Sequence, residues 1–343
     1  MSAPSRITVA IPTLAADDTF MACLRALQAQ TLAAFDVVVI DNGGADRVRS
    51  SGLLQGLSAN LNIRVISNPH NAGFGAAINQ AFRASASPYL APLNDDAVAH
   101  PGWLQALVDF ADAHPQVGML ASQVRLEGTG KLDSAGMLLA ADGSSKQRGH
   151  GRPTAEFERP SDAMFPSGSA ALLRRAMLDE IGLFDESFFL YCEDTDLGLR
   201  ARWAGWECQY VPQAVVEHRY SHSAGRASPL KAFYVERNRL YTVLKTFPMR
   251  MIWKVPFAAI ARYGWHVVEM INGRGKGAEF RQAGHSAALL PWLVMRAHFA
   301  ALGQLPQLLR DRRRIFASRR ISAGKFAALA SRHSISLREV ATL

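Results

Sequence analysis

The chain has 343 residues, 49% apolar and 20% charged, a balance that excludes a disordered protein and allows a sizeable core. Three irregularly spaced cysteines, Cys23, Cys192 and Cys208, exclude a disulfide framework and a zinc finger and point to a reducing compartment. The formal net charge of +9 is unevenly spread: residues 219–343 carry 22 basic and 5 acidic side chains, against 16 basic and 24 acidic before them, so the two regions are expected to meet different partners.

In chain order, RITVAIPTL (6–14) reads as a short strand closed by Pro-Thr. A helix follows from Asp17 or Asp18 to about Gln30. FDVVVIDNGG (35–44) has the near-continuous apolar run of a buried parallel strand, and IRVISNP (63–69) is a third strand. NAGFGAAINQAFRAS (71–85) is a Gly-rich turn entering a helix. YLAPLNDDA (89–97) is a fourth strand ending in acids, and PGWLQALVDFADAHP (101–115) is a helix with Pro101 in its first turn. Residues 125–165, rich in Gly, Ser and Arg, suggest hairpins and a loop. SGSAALLRRAMLDEIG (167–182) is strand then helix, and a helix runs from Glu193 to about Gly205 with Leu197, Ala201 and Ala204 as its buried stripe. Beyond residue 220 the pattern is helical.

Alternating strands and helices predict an α/β fold, a Rossmann-like, mostly parallel sheet flanked by helices, with a helical C-terminal extension. The expected division is an α/β domain over 1–220 and a basic, mainly helical region over 221–343. Ligands in such sheets sit beyond the carboxyl ends of the strands. Those ends carry Pro12 and Thr13, Asp41, the stretch from Asn68 to Gly75, and Asn94, Asp95 and Asp96.

Each polar motif has a functional and an ordinary reading. Asn94, Asp95 and Asp96 offer oxygens to a hard divalent cation, or cap a turn. Gly73 and Gly75 let backbone approach an anion, or make a tight turn; the dinucleotide G-x-G-x-x-G is absent, since Ile78 fills its third glycine. Glu193, Asp194 and Asp196 are favoured by the helix dipole and Asp196 can pair with Arg200, yet three acids behind FFLY exceed the needs of capping, and one can act as a general base. His218 ends a strand-like run and is either structural or a ligand. Arg237 and Arg239 in ERNRL are surface cations or phosphate clamps.

Taken in order, VAIPTL, VVVIDNGGADRV, NPHNAGFGAAIN, YLAPLNDDAVAHPGWL, SGSAALLRR, IGLFDESFFLYCEDTDLGLRARWAGW, VEHRYSHS and RNRLYTVLKTFP resemble the inverting, nucleotide-sugar-dependent glycosyltransferases of family two, of GT-A fold, in their bacterial rhamnosyltransferase-like branch. The resemblance spans about residues 7–248. It implies donor contacts from Pro12, Thr13, Asp41, Asn71, Gly73, Asn79, Asn94, Asp95 and Arg237. It also implies a Mg2+ or Mn2+ held by Asp96, Asp95 and His218, and catalysis by Asp194, the base, beside Glu193. Asp95 stands where the branch usually has Pro in L-N-P-D. The implied reaction moves a sugar, rhamnose from dTDP-rhamnose first and UDP-sugars next, to a hydroxyl of a glycan or lipid-linked acceptor with inversion. A non-catalytic GT-A-like module that binds nucleotide sugars or glycans is the alternative.

In LGQLPQLLRDRRRIFASRR (302–320), Leu302, Leu305, Leu309 and Phe316 recur at helical spacing among six arginines. Such a helix can lie on an anionic membrane or pack on the catalytic domain with a solvated basic face. Nucleic acid is not an expected partner. No signal peptide and no run of about 18 uncharged apolar residues is visible, so the expected location is cytoplasmic, with peripheral contact at the inner face of the cytoplasmic membrane.

Overall fold

The computed structural model describes residues 5–57, 61–219 and 227–343. It forms two compact units: Met1–Gly136, Gln147–Phe189 and Trp206–His222 make the first, and Met137–Lys146, Leu190–Gly205 and Ser223–Leu343 the second.

The first unit starts with β1 (Ile7–Thr13) and α1 (Asp18–Gln28), capped by Asp17, which accepts the amides of Thr19 and Phe20 at 3.0 Å. Then come β2 (Phe35–Asp41), the single turn α2 (Arg47–Ser50), β3 (Asn62–Ser67), α3 (Phe74–Ala84), β4 (Tyr89–Pro92), β5 (Ala97–Ala99) and α4 (Trp103–Ala113). Pro101 lies in the turn before α4, not inside it. β6 (Val117–Leu126) and β7 (Lys131–Ser134) follow; the separately paired hairpin of β8 (Met137–Leu139) and β9 (Ser145–Gln147) falls, but for Gln147, in the second unit. β10 (Ser161–Asp162), β11 (Ala171–Arg174) and α5 (Arg175–Ile181) precede α6 (Glu193–Trp203) of the second unit, after which β12 (Glu207–His218) returns to the first.

The main sheet has the order β10-β12-β6-β11-β4-β1-β2-β3, with β5 on β12 and β7 on β6. The β4-β1-β2-β3 half is parallel, as its apolar strands joined by helices require. β11 runs antiparallel to both β4 and β6, because the chain returns to it through hairpins and not through a crossover helix. Phe20, Leu24, Trp103 and Leu107 pack against this sheet, and the Trp103 indole N–H donates to the Ser122 hydroxyl at 2.9 Å.

The second unit continues with α7 (Pro229–Thr246), α8 (Met249–Ile252), α9 (Val255–Ile271), α10 (Gly275–Gln282), α11 (Leu289–Gly303), α12 (Leu305–Ala317), α13 (Ala323–Arg332) and α14 (Leu337–Thr342). The expected continuous helix over 302–320 is broken: Leu302 belongs to the last turn of α11, which ends at Gly303, and Pro306, which lacks an N–H, lies in the first turn of a new helix. α12 buries Leu308 and Ile315, and Arg312 donates to the carbonyls of Leu244 (3.1 Å) and Phe247 (2.7 Å). α6 is also not the amphipathic helix its sequence suggests. Every residue from Thr195 to Trp203 is buried. Trp203 stacks on Phe326 at 4.3 Å and donates to the Thr246 carbonyl at 2.8 Å, while Asp196 is neutralised by Arg200 and Lys245, each at 2.8 Å.

A second buried ionic group ties α7 to α9 and the loop before β9. Glu236 accepts from Arg262 (2.7 Å), the Tyr263 hydroxyl (2.6 Å) and Arg239; Asp142 accepts from Arg262 at 2.5 Å. Burial alone would raise the Glu236 pKa, but Arg239 and Arg262 hold it well below the usual carboxylate range. Two carboxylates face two guanidiniums, so removing one leaves a buried positive charge uncompensated. Glu236→Ala is expected to lower unfolding stability by about 3–5 kcal/mol in urea titrations.

Candidate active site

In the first unit, parallel pairing aligns the strand ends. Thr13 is in register with Asp41, and Asp41 with Ser67. Pro12, on the same strand end as Thr13, is partly exposed. The Asp41 carboxylate, almost fully buried, accepts the amides of Gly43 (3.0 Å) and Val48 (2.8 Å), so it builds the turn that follows its strand. Asn71 accepts the Gly73 amide at 2.9 Å and is itself exposed. Gly73 has φ of +87°, and a Cβ there would lie 2.3 Å from the Phe189 carbonyl oxygen, so packing alone demands glycine. Asn79 is buried; its amide donates to the Phe184 carbonyl and Glu186 carboxylate, both at 2.9 Å, and accepts the Phe184 amide at 3.0 Å. The Asn79 side chain, with the Phe74 amide donating to the Phe189 carbonyl at 2.9 Å, fastens segment 184–189 to α3.

The acids after β4 lie on a turn and not on the strand itself. Antiparallel pairing of β5 with β12 sets His218 opposite Ala97, which brings Asp96 to His218. Asp96 Oδ1 is buried, makes no well-aligned hydrogen bond, and lies 3.1 Å from His218 Nε2. Asn94 Nδ2 is 3.3 Å from the same nitrogen. On the other side of the ring, Nδ1 lies 2.9 Å from Asp133 Oδ2, and Asp133 Oδ1 lies 3.1 Å from His150 Nδ1. Burial by itself would lower the His218 pKa, but the carboxylates of Asp133 and Asp96 against its two ring nitrogens push it up to about 10. Asp95 is pushed up to about 6, chiefly by burial and further by Asp96 and Asp17, against a lowering hydrogen bond from Thr13.

An oxygen and an imidazole nitrogen converging 3.1 Å apart, with a carboxylate fixing the far ring nitrogen, suit Mg2+ or Mn2+ in chemistry. No three His, Cys, Asp or Glu side chains among the described residues form a complete metal set, so any cation held there needs further oxygens from a ligand. Asp133 was not singled out in the sequence; it sits in the plain stretch LDSAG and reaches His218 only through the β6–β7 hairpin.

In the second unit the polypeptide enters α6 through a strained turn. Tyr191 (φ 70°) and Cys192 (φ 64°) both take left-handed backbone without being glycine. The buried Asn238 side chain holds that turn, donating to the carbonyls of Leu190 (2.9 Å) and Tyr191 (2.7 Å). Asn238 lies between the two arginines picked out in ERNRL. Arg237 donates to Asn238 at 2.9 Å and stacks over Tyr234 and Tyr241, while Arg239 belongs to the buried ionic group.

The turn delivers two unlike carboxyls. Glu193 is buried, its Oε2 makes no hydrogen bond among the described residues, and burial followed by the charge of Asp194 pushes its pKa up to about 8. Asp194 is the one residue of α6 that is not buried, and its Oδ1 accepts the Thr195 amide at 2.7 Å. One acid is thus kept neutral near pH 7 while its neighbour is only partly buried.

Residues 4–241 match the model of the family described as glycosyltransferase like family 2. The chain is 30% identical over 236 residues to an N-acetylglucosaminyl-diphospho-decaprenol L-rhamnosyltransferase of Mycobacterium tuberculosis, covering 62% of this chain and 76% of that one. Among solved structures, GalNAc-T7 with UDP, GalNAc and Mn2+ is similar with a TM-score of 0.60 at 15% identity, over 76% of this chain and 51% of that one. The mannosyltransferase PcManGT of Pyrobaculum calidifontis, in complex with GDP-Man and Mn2+, is similar with a TM-score of 0.53 at 15% identity, over 89% and 88%. The two likenesses bear out the GT-A-like α/β fold. With its family match running through the strand ends, the Asp96–His218 pair and the Glu193-Asp194 turn, this chain belongs to glycosyltransferase family 2, in the company of rhamnosyltransferases.

Proposed function

We propose that the chain transfers rhamnose from dTDP-rhamnose to a hydroxyl of a glycan or lipid-linked saccharide, with inversion, and that Asp194 is the catalytic base. The observation that carries this reading is the start of α6: in an otherwise buried helix only Asp194 is partly exposed, beside a Glu193 held neutral by burial. The choice of sugar rests on the similarity to the mycobacterial rhamnosyltransferase, and UDP-sugars are the next donors to test.

Asp194 takes the proton of the acceptor hydroxyl. The freed oxygen lone pair forms the new bond to the anomeric carbon while the bond from that carbon to the diphosphate oxygen breaks, and its electrons leave with the nucleoside diphosphate. One displacement inverts the configuration and needs no covalent sugar–enzyme intermediate. Asp96 and His218 would hold Mg2+ or Mn2+, with Asp95 and Asn94 beside them and Asp133 orienting the imidazole. A cation there supplies positive charge to the departing diphosphate. Thr13, Pro12, Asp41 and Asn71 form the donor side at the strand ends, with Gly73 and Asn79 shaping it. Arg237 acts on the diphosphate. The reading puts this reaction on the cytoplasmic side of a membrane with peripheral contact.

Asp194→Asn is expected to lower transfer about 10²–10⁴-fold, read as release of dTDP in the presence of acceptor, while thermal stabilisation by dTDP-rhamnose with Mn2+ is kept. Parental turnover in that variant would remove the base assignment, and donor binding without turnover in the parent would favour a binding module. Glu193→Gln, which mimics the neutral acid, should retain transfer within about tenfold. Its melting point also separates from the parent with pH. Because the folded state raises the Glu193 pKa from 4.5 to about 8, parental stability is fully present below pH 4.5 and lost as pH rises through 8, a loss the glutamine escapes.

A further inference from the structure

α9 is built inside out. Its buried positions include the charged Arg262 and Glu269, while its exposed positions carry no charge at all. Phe257, Ile260, Gly264, Val268 and Ile271 follow one another at helical spacing along the open side, with Phe257 75%, Ile260 69% and Ile271 76% exposed. Trp253, just before the helix, is 72% exposed. α11 repeats the pattern: Trp292, Met295, Phe299 and Leu302 make an exposed apolar stripe. The two helices are anchored on neighbouring residues of α7, Arg262 on Glu236 and Arg296 over Phe233. Water-facing helices of globular proteins are polar on that side, and exposed apolar stripes of this extent mark a surface that something covers.

We infer that the open sides of α9 and α11 seat the protein on an anionic lipid bilayer. The cations around the stripes suit that partner. Arg250 and Lys254 precede α9, Arg274 follows it, Arg281 lies in α10 and Arg296 in α11, all exposed, whereas Glu279 is the sole acid between Met249 and Gly303 that is not buried. Each cation near such a surface adds to the attraction, and tryptophan and phenylalanine favour the boundary between headgroups and acyl chains. α9 has 17 residues, about 25 Å of helix, and carries two buried charges, so it lies along a bilayer and does not cross one. No helix among the described residues is long and apolar enough to span. A second copy of the chain fits less well, since a twofold contact through these stripes would set their cations against their own images.

This deepens the membrane part of the proposed function and moves the contact from the arginine-rich α12 to α9 and α11; it does not depend on the donor sugar. The test is co-sedimentation of the full chain with phosphatidylglycerol-containing vesicles and with phosphatidylcholine vesicles, alongside light scattering for mass in solution. Binding is expected to anionic vesicles and to weaken as salt is raised. Phe257→Glu/Ile260→Glu and Trp292→Glu/Phe299→Glu, both at exposed positions, should keep the parental circular dichroism and each lower the partition coefficient at least about tenfold. Arg313→Glu/Arg314→Glu on α12 should lower it less. Loss of binding only in the α12 variant would overturn the inference and leave the membrane reading standing. Absence of parental binding to either vesicle would overturn both, and a parental dimer that dissociates in the α9 variant would assign the stripes to a second copy.

Discussion

A helix enclosed on every side can offer a carboxylate to a reactant only at its start, and only if the chain arrives there at an unusual angle. The Asn238 side chain imposes that angle. Its amide binds two consecutive carbonyls, Leu190 and Tyr191, and so holds left-handed backbone at Tyr191 and Cys192 that would otherwise relax. Residues in such conformations cost about 1–3 kcal/mol each, which the surrounding packing must offset. Trp203 against Phe326, and Asp196 between Arg200 and Lys245, anchor the rest of α6 so that the strain cannot escape by sliding the helix. The consequence is chemical: Glu193 is buried and Asp194 is left partly exposed.

The first unit reaches a comparable result with a chain of charges. His150, Asp133, His218 and Asp96 alternate base and acid, each within 3.1 Å of the next. The inner members are buried, so each charge is tolerable only because its neighbour is opposite. An imidazole whose far nitrogen is fixed by a carboxylate presents the other in one orientation, the arrangement that metal-binding histidines favour.

Much of the sheet was readable in the letters, because buried parallel strands are continuous apolar runs and their polar ends stand out. Thr13, Asp41 and the acids after β4 were visible for that reason, and so was the pairing of Asp196 with Arg200. What could not be read was partnership across long stretches of chain. Asp133 has no local signal, and its role exists only once β7 lies beside β6. Asn238 was hidden between two more conspicuous arginines. α6 seemed amphipathic because its charges read as a solvated face, whereas Asp196 is buried with the help of Lys245, far along the chain. The outward apolar side of α9 required knowing that Arg262 and Glu269 are buried, the first in the network of Glu236 and Asp142 and the second paired with Arg274 and Arg338.

β12 lies in the interior of the sheet, between β10 and β6, and carries His218 at its end. Asp96 and Asp133 are made long before it, so a ribosome has released both acids into the cell well before their histidine exists. During synthesis those two carboxylates have no shared partner, and an unfinished chain cannot gather the full cluster. The same strand completes the sheet and the cluster, so a chain that stops short of residue 218 lacks both.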